Sequence, residues 1–190
     1  NHFANTDLWQ FDGWSQNDRG GIYFYNDERG QTPWGARPDY GRPEVRQFFL
    51  DNILMWLSEY RLDGLRLDST IYMRNTLGQN NDPAHDIADA WKLLGAMTTL
   101  ARKINPGVMM IAEDCSVNDY LTRPVKEGGC GFDAQWGLNF PHSLRALSGL
   151  STPFPVDFTH ELVTDYNGDC FQKIIFSDSH DTADNGQVRL

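Results

Sequence analysis

The chain has 190 residues, 40% of them hydrophobic and 13% aromatic, which is ample for one packed core and excludes a disordered or low-complexity chain. A net charge of -10 argues against a nucleic-acid partner, since phosphate binding needs clustered Lys and Arg, and equally against an anionic membrane surface. No apolar run approaches the roughly 18–20 residues that cross a bilayer, and no basic-then-apolar leader opens the chain.

Residues 1–42 are rich in Gly, Asn, Asp, Pro and aromatics, with turn signals at Asn17-Asp18, Arg19-Gly20-Gly21 and Glu28-Arg29-Gly30. They read as a long structured loop, a kind of segment that is usually functional. Pro43 suits a first helical position and Glu44 the positive end of a helix dipole. Val45, Phe48, Phe49, Ile53, Leu57 and Tyr60 then recur at helical spacing. Leu62 to Asp68 alternates in period two and reads as a strand.

A second round follows. Asp82 and Pro83 are expected to cap and start a helix whose buried stripe is Ile87, Ala90, Trp91, Leu94, Met97, Ala101 and Ile104. Pro106-Gly107 ends it, and Val108 to Ala112 is a continuous apolar run, as expected of a strand covered on both faces. A weaker helix is expected over 118–126, a short strand over Phe132–Trp136, and helical segments over roughly 140–149 and 157–166. Phe171 to Phe176 is the last strand, ending at Ser177-Asp178-Ser179-His180-Asp181. Alternating strands and helices point to a parallel α/β sheet of about four strands. Cys115, Cys130 and Cys170 have no CxxC spacing and read as free thiols, which leans toward a reducing, cytoplasmic compartment.

Three carboxylates, Asp68, Glu113 and Asp181, fall at the C-terminal ends of these strands, the edge where parallel α/β folds build sites. Arg66 and Asp68 are two apart on a strand and face the same way, so the guanidinium favours an ionised carboxylate, as a nucleophile requires. Glu113 follows an apolar strand, where desolvation raises a carboxyl's pKa and suits it to proton donation. His180 sets a donor beside Asp181. Each feature alone has a bland alternative: a strand-end salt bridge, a helix-capping Glu, an Asx turn. Together they fit two chemistries, glycoside cleavage or transfer by paired carboxylates and divalent-metal hydrolysis. The histidines are far apart, with no HxH or HExxH, which disfavours the metal reading; no metal and no cofactor is expected. Trp9, Phe11, Trp14, Tyr23, Phe24, Tyr25, Trp34 and Tyr40 crowd the first segment. Most should pack that segment down, leaving one or two faces for sugar stacking.

Asp63 to Asp68 resembles the second conserved region of the α-amylase family, Ile111-Ala112-Glu113-Asp114 its third, Ser179-His180-Asp181 its fourth, and Asn1-His2 the tail of its first. The resemblance covers essentially the whole chain. It implies a (β/α)8 barrel, a TIM barrel, of which residues 1–190 would form a fragment of one catalytic domain. Residues 1–42 would be an excursion after strand three, and 43–190 would run through strands four to seven. It also implies a retaining double displacement on α-glucan with Asp68 as nucleophile, Glu113 as acid/base and Asp181 gripping sugar hydroxyls. Arg66, His2 and His180 would orient the nucleophile or bind the sugar. Asp68 and Glu113 should then face one cavity with their carboxyls roughly 5–5.5 Å apart. Within the family, Tyr23 to Asp27, Thr32 to Gly35, Arg37 to Tyr40 and Gly131 to Trp136 look most like glucan-branching members, which cleave α-1,4 links and form α-1,6 branches. The alternatives are a hydrolase of the same family and a non-catalytic glucan-binding relative. Thr182 stands where branching members commonly carry Glu. Ser69 to Tyr72 departs from the Lys-x-His-like element of calcium-dependent relatives, so no structural calcium is expected.

Overall fold

The computed structural model describes residues 21–80, 82–148 and 159–181. A two-stranded antiparallel ribbon, β1 (Gln31–Thr32) and β2 (Gly35–Ala36), precedes helix α1 (Pro43–Leu54). The main sheet is parallel and four-stranded, in the order β3 (Gly64–Leu67), β4 (Met109–Ala112), β5 (Ala134–Trp136) and β6 (Lys173–Ile174). Between its strands run α2 (Thr70–Arg74), α3 (Ala88–Ile104), α4 (Asp119–Thr122), α5 (Asn139–Ser148) and α6 (Thr159–Val163). The expected alternation of strands and helices is present, with a parallel sheet.

Pro43 does open α1, and Val45 and Ile53 form its buried side. Past Leu54 the helix widens into a π-helical turn, Met55–Glu59, where the Tyr60 N–H reaches back to the Met55 carbonyl. The second helix differs from expectation at its start. Asp82 accepts from the Ala84 N–H, but what it caps is a 3₁₀ turn over Pro83–His85. Asp86 and Ile87 are held extended instead: Thr76 N–H donates to the His85 carbonyl, Ile87 N–H to that of Arg74, and Asn75 bridges Asp86. Helix α3 can begin only after that tether, and it buries Ala90, Leu93, Leu94, Met97 and Ala101. The helix expected over 118–126 is split by Pro124 into α4 and a 3₁₀ turn.

Parallel pairing sets Leu65 opposite Met110 and Leu67 opposite Ala112, while Arg66 stands opposite Ile111 and Gly64 opposite Met109. Leu67, Met110 and Ala112 point into the helix-covered core with Leu93, Leu94 and Met97. The other face is more open: Met109 is 50% exposed and Ile111 partly so. The expectation of a β4 covered on both faces is therefore not met among the described residues, where burial alternates along the strand. Gly64 permits the close β3–β4 approach, because a Cβ there would lie 2.5 Å from the Met109 carbonyl oxygen.

In the first segment Phe24, Tyr25 and Tyr40 are buried, as packing residues should be, whereas Trp34 at the ribbon turn is 47% exposed. Trp9, Phe11 and Trp14 lie outside the described residues. Arg37, fully buried, fastens this segment to α2 by donating to the Tyr72, Thr76 and Arg29 carbonyls. No described helix is long and apolar enough to cross a membrane.

Candidate active site

Strand parity builds the site. Arg66 shares its sheet face with Ile111 and Ala134, so two residues further on Asp68, Glu113 and Trp136 emerge from the same face at the same edge. Asp181 arrives beyond β6, in the segment after Phe176. Arg66 is the hub. Its Nη1 donates to Asp68 Oδ1 at 3.2 Å, and its Nη2 lies 2.8 Å from Glu113 Oε2 and 4.0 Å from Asp181 Oδ2. The Nη2 contact with Glu113 is an ion pair off the hydrogen-bonding direction, and Nε and Nη2 are buried without a hydrogen-bond partner among the described residues. The guanidinium lies over Trp136, with its carbon 4.0 Å from the ring centroid. Phe176 packs on the same indole at 4.6 Å, and His180 meets it edge-on at 6.4 Å.

Burial separates the three acids. The Glu113 side chain is 11% exposed, against 55% for Asp68 and 48% for Asp181. Burial raises the Glu113 pKa above the usual carboxylate range. The Ser69 N–H, 2.6 Å from Oε2, and the Arg66 charge pull it down, while the charge of Asp68 and a hydrogen bond with the Asp68 side chain push it further up. Those two carboxyls therefore act on one another as well as on Arg66. Of the two, Asp68 is the more exposed.

Cys115 follows with its Sγ 4.0 Å from Glu113 Oε1, and burial first, then Glu113 and Asp114, push its thiol up to about 12. A thiol so protonated is no nucleophile near neutrality. His180 Nε2 stands 3.3 Å from Asp181 Oδ2. The structure thus brings Arg66, Asp68, Glu113, Asp181 and His180 together; His2 lies outside the described residues. A cavity of about 990 Å³ lined by Leu50, Trp91, Leu100, Tyr120 and Val125 lies elsewhere and is lined by none of the three acids.

Two parts of the site were missed in sequence. Trp136 could have been found from period two, since it ends β5 on the parity of Glu113. The Ser69 N–H could not, because its aim depends on a left-handed backbone at Ser69 (φ 43°). Strand parity pairs Arg66 with Asp68, whereas in the structure the ion pair with Glu113 is the shorter.

The site is that of a parallel α/β protein with its acidic groups gathered on one arginine at the C-terminal sheet edge, an arrangement suited to paired-carboxylate chemistry. No protein-family model matches the chain. In sequence it resembles 1,4-alpha-glucan branching enzymes. It is 34% identical over 161 residues, 77% of this chain, to 1,4-alpha-glucan branching enzyme GlgB of Oceanobacillus iheyensis. It is 36% identical over 132 residues, 64% of this chain, to that of Mycobacterium tuberculosis, and 34% over 146 residues, 71% of this chain, to that of Myxococcus xanthus. These matches cover 24%, 18% and 19% of those proteins, so the chain spans about a quarter or less of the length of the curated relatives it matches.

Proposed function

We propose that this chain is part of a (β/α)8 catalytic barrel of the α-amylase family, acting on α-glucan as a retaining glucanotransferase that cleaves α-1,4 links and forms α-1,6 branches. The four parallel strands would be strands four to seven, and the open face carrying Met109 and Ile111 would be closed by the remaining strands. The observation that carries the reading is the convergence of Asp68, Glu113 and Asp181 on the Arg66 guanidinium from three separate strand ends. The branching-enzyme relatives support the choice of substrate and reaction.

In the first step Asp68, exposed and paired with Arg66, attacks the anomeric carbon. Glu113, the buried carboxyl with the raised pKa, gives its proton to the departing glycosidic oxygen. Forming the glycosyl ester removes the charge of Asp68. That charge is one of the things raising the Glu113 pKa, so the pKa falls in the intermediate and Glu113 stays ionised, free to take the proton of the acceptor 6-hydroxyl. Asp181 and His180, with His2, would hold sugar hydroxyls.

The test is amylose with the full-length protein, scoring new α-1,6 links against new reducing ends. Links without matching reducing ends are expected. Reducing ends alone would make the protein a hydrolase. Asp68→Asn should lose about 10⁴-fold or more in turnover while still binding glucan, and residual turnover near wild type would remove Asp68 from the nucleophile's role.

A further inference from the structure

Outside the acids, the most completely buried charged pair among the described residues is Arg74 with Asp114, 1% and 0% exposed. It adjoins the site: Asp114 follows Glu113 directly, and Arg74 ends α2, the helix that starts two residues after Asp68. Arg74 approaches in fork geometry, Nε to Oδ2 at 2.9 Å and Nη2 to Oδ1 at 2.7 Å. Thr70 Oγ1 donates to Oδ2 at 2.9 Å, and Ser116 Oγ donates to Oδ1. Asn80 takes a further Arg74 Nη2 bond at 2.9 Å, and the Trp91 ring lies 5.1 Å from the guanidinium carbon. A charge pair this deep costs several kcal/mol to desolvate, so it is weak as a source of stability, and its surroundings point to a different use.

That use is visible in the turn it grips. Between Asp68 and Thr70 the backbone must pass through the left-handed region at Ser69, which is unfavourable for a residue with a Cβ. This turn presents two successive N–H groups to one residue: Ser69 N–H to Glu113 Oε2 at 2.6 Å, and Thr70 N–H to the Glu113 carbonyl at 2.8 Å. Thr70 is fixed from its other side by Asp114. From this geometry we infer that Arg74 and Asp114 act as positioning residues for the proposed acid/base. Through Thr70 they clamp the strained turn after β3 onto the end of β4, so that the Ser69 N–H is aimed at the Glu113 carboxyl and Asp68 is held beside it.

The inference rests on the reading of Glu113 as acid/base only for its effect on turnover; its effect on the carboxyl itself does not. The groups facing Glu113 are Arg66 and Asp68 from β3 and its end, Cys115 on its own strand end, and Asp181, which shares Arg66. The variants contemplated change none of them. The Ser69 hydrogen bond pulls the Glu113 pKa down, so loosening the clamp must let it rise.

The experiment uses the full-length protein with Thr70→Val, which deletes one hydroxyl at nearly constant volume, and Asp114→Asn as the stronger change. Glu113 is titrated directly by the ¹³C shift of its carboxyl, identified against Glu113→Gln, and turnover on amylose is followed against pH. The expected result is a Glu113 midpoint displaced to higher pH in Thr70→Val, which alters no charge; in Asp114→Asn the lost carboxylate and the uncompensated Arg74 cation pull the midpoint down, so that variant is read by turnover and melting instead. The basic limb of the rate profile should move with it, and kcat should fall about 10- to 100-fold with KM little changed, the scale of a ~1 Å misplacement. An unmoved Glu113 midpoint in a folded Thr70→Val protein overturns the inference, even if Asp114→Asn merely melts at lower temperature. A displaced midpoint with no activity on amylose in the wild type keeps the clamp and refutes the functional reading instead.

Discussion

Replacing Arg66 by Met keeps an apolar stem against Trp136 and removes the one charge that, among the described residues, the three acids share. The largest loss is the ion pair with Glu113 at 2.8 Å, where the carboxyl is nearly buried; breaking such a pair by removing one partner costs about 3–5 kcal/mol. The contacts to Asp68 and Asp181 reach half-exposed carboxylates and contribute ~0.2–1 kcal/mol each at most. Against this, Nε and Nη2 are buried without hydrogen-bond partners among the described residues, and removing them recovers about 1–3 kcal/mol. The net cost is therefore a few kcal/mol, and it depends on pH. Arg66 pulls the Glu113 pKa down, so the cation stabilises only the ionised carboxyl. Below the titration of Glu113 the variant should melt close to wild type, and the gap should open as pH rises through it. Thermal unfolding of both proteins in steps from pH 4 to pH 9 gives the answer. A loss equal at every pH would refute the assignment of Arg66 as the counter-charge of Glu113.

The same carboxyl gives a second test, in Glu113→Gln. A glutamate whose folded pKa is raised has its stabilising contribution in full below the unfolded pKa and loses it as pH rises through the folded one. Glutamine stays neutral, so the variant should lose turnover yet melt as high as wild type, or higher, at pH 7–8; a lower melting point there would contradict burial as the leading cause of the shift. In the sheet, Gly64→Ala forces a Cβ to 2.5 Å from the Met109 carbonyl oxygen, on backbone that cannot retreat without opening the β3–β4 ladder. It should cost about 1–3 kcal/mol in a denaturant melt, as other overpacked positions do, and a neutral effect would mean that this pairing is looser than described.

What could be read from the sequence followed from periodicity and parity. Pro43 marked the start of α1, and period two put Arg66 and Asp68 on one face. What could not be read was contributed by residues distant in the chain. Asp82 and Pro83 carry a helix-start signal, yet the backbone bonds from Thr76 and Ile87 tie 85–87 down and delay α3 to Ala88. The apolar run before Glu113 says nothing of which face is covered, because that depends on what lies across the sheet. Arg74 and Asp114 look like ordinary surface charges in sequence; forty residues apart, they become a buried pair only when β3 and β4 align. The raised pKa of Glu113 follows from its place after an apolar strand, whereas the opposing Ser69 N–H depends on a turn conformation with no sequence signal.

The convergence on Arg66 also has a consequence in time. During synthesis Asp68 and Glu113 leave the ribosome well before Asp181, which closes the cluster from the far side of β6. At ribosomal rates of ~5–20 residues per second the interval between Asp68 and Asp181 lasts on the order of ten seconds. Through that interval the nascent chain carries a half-finished charge cluster, with β4 awaiting the neighbour that will cover one of its edges. The clamp of Arg74 on Asp114 needs only β3, β4 and the helices around them, so it can close first and hold the two earlier acids in place until the third arrives.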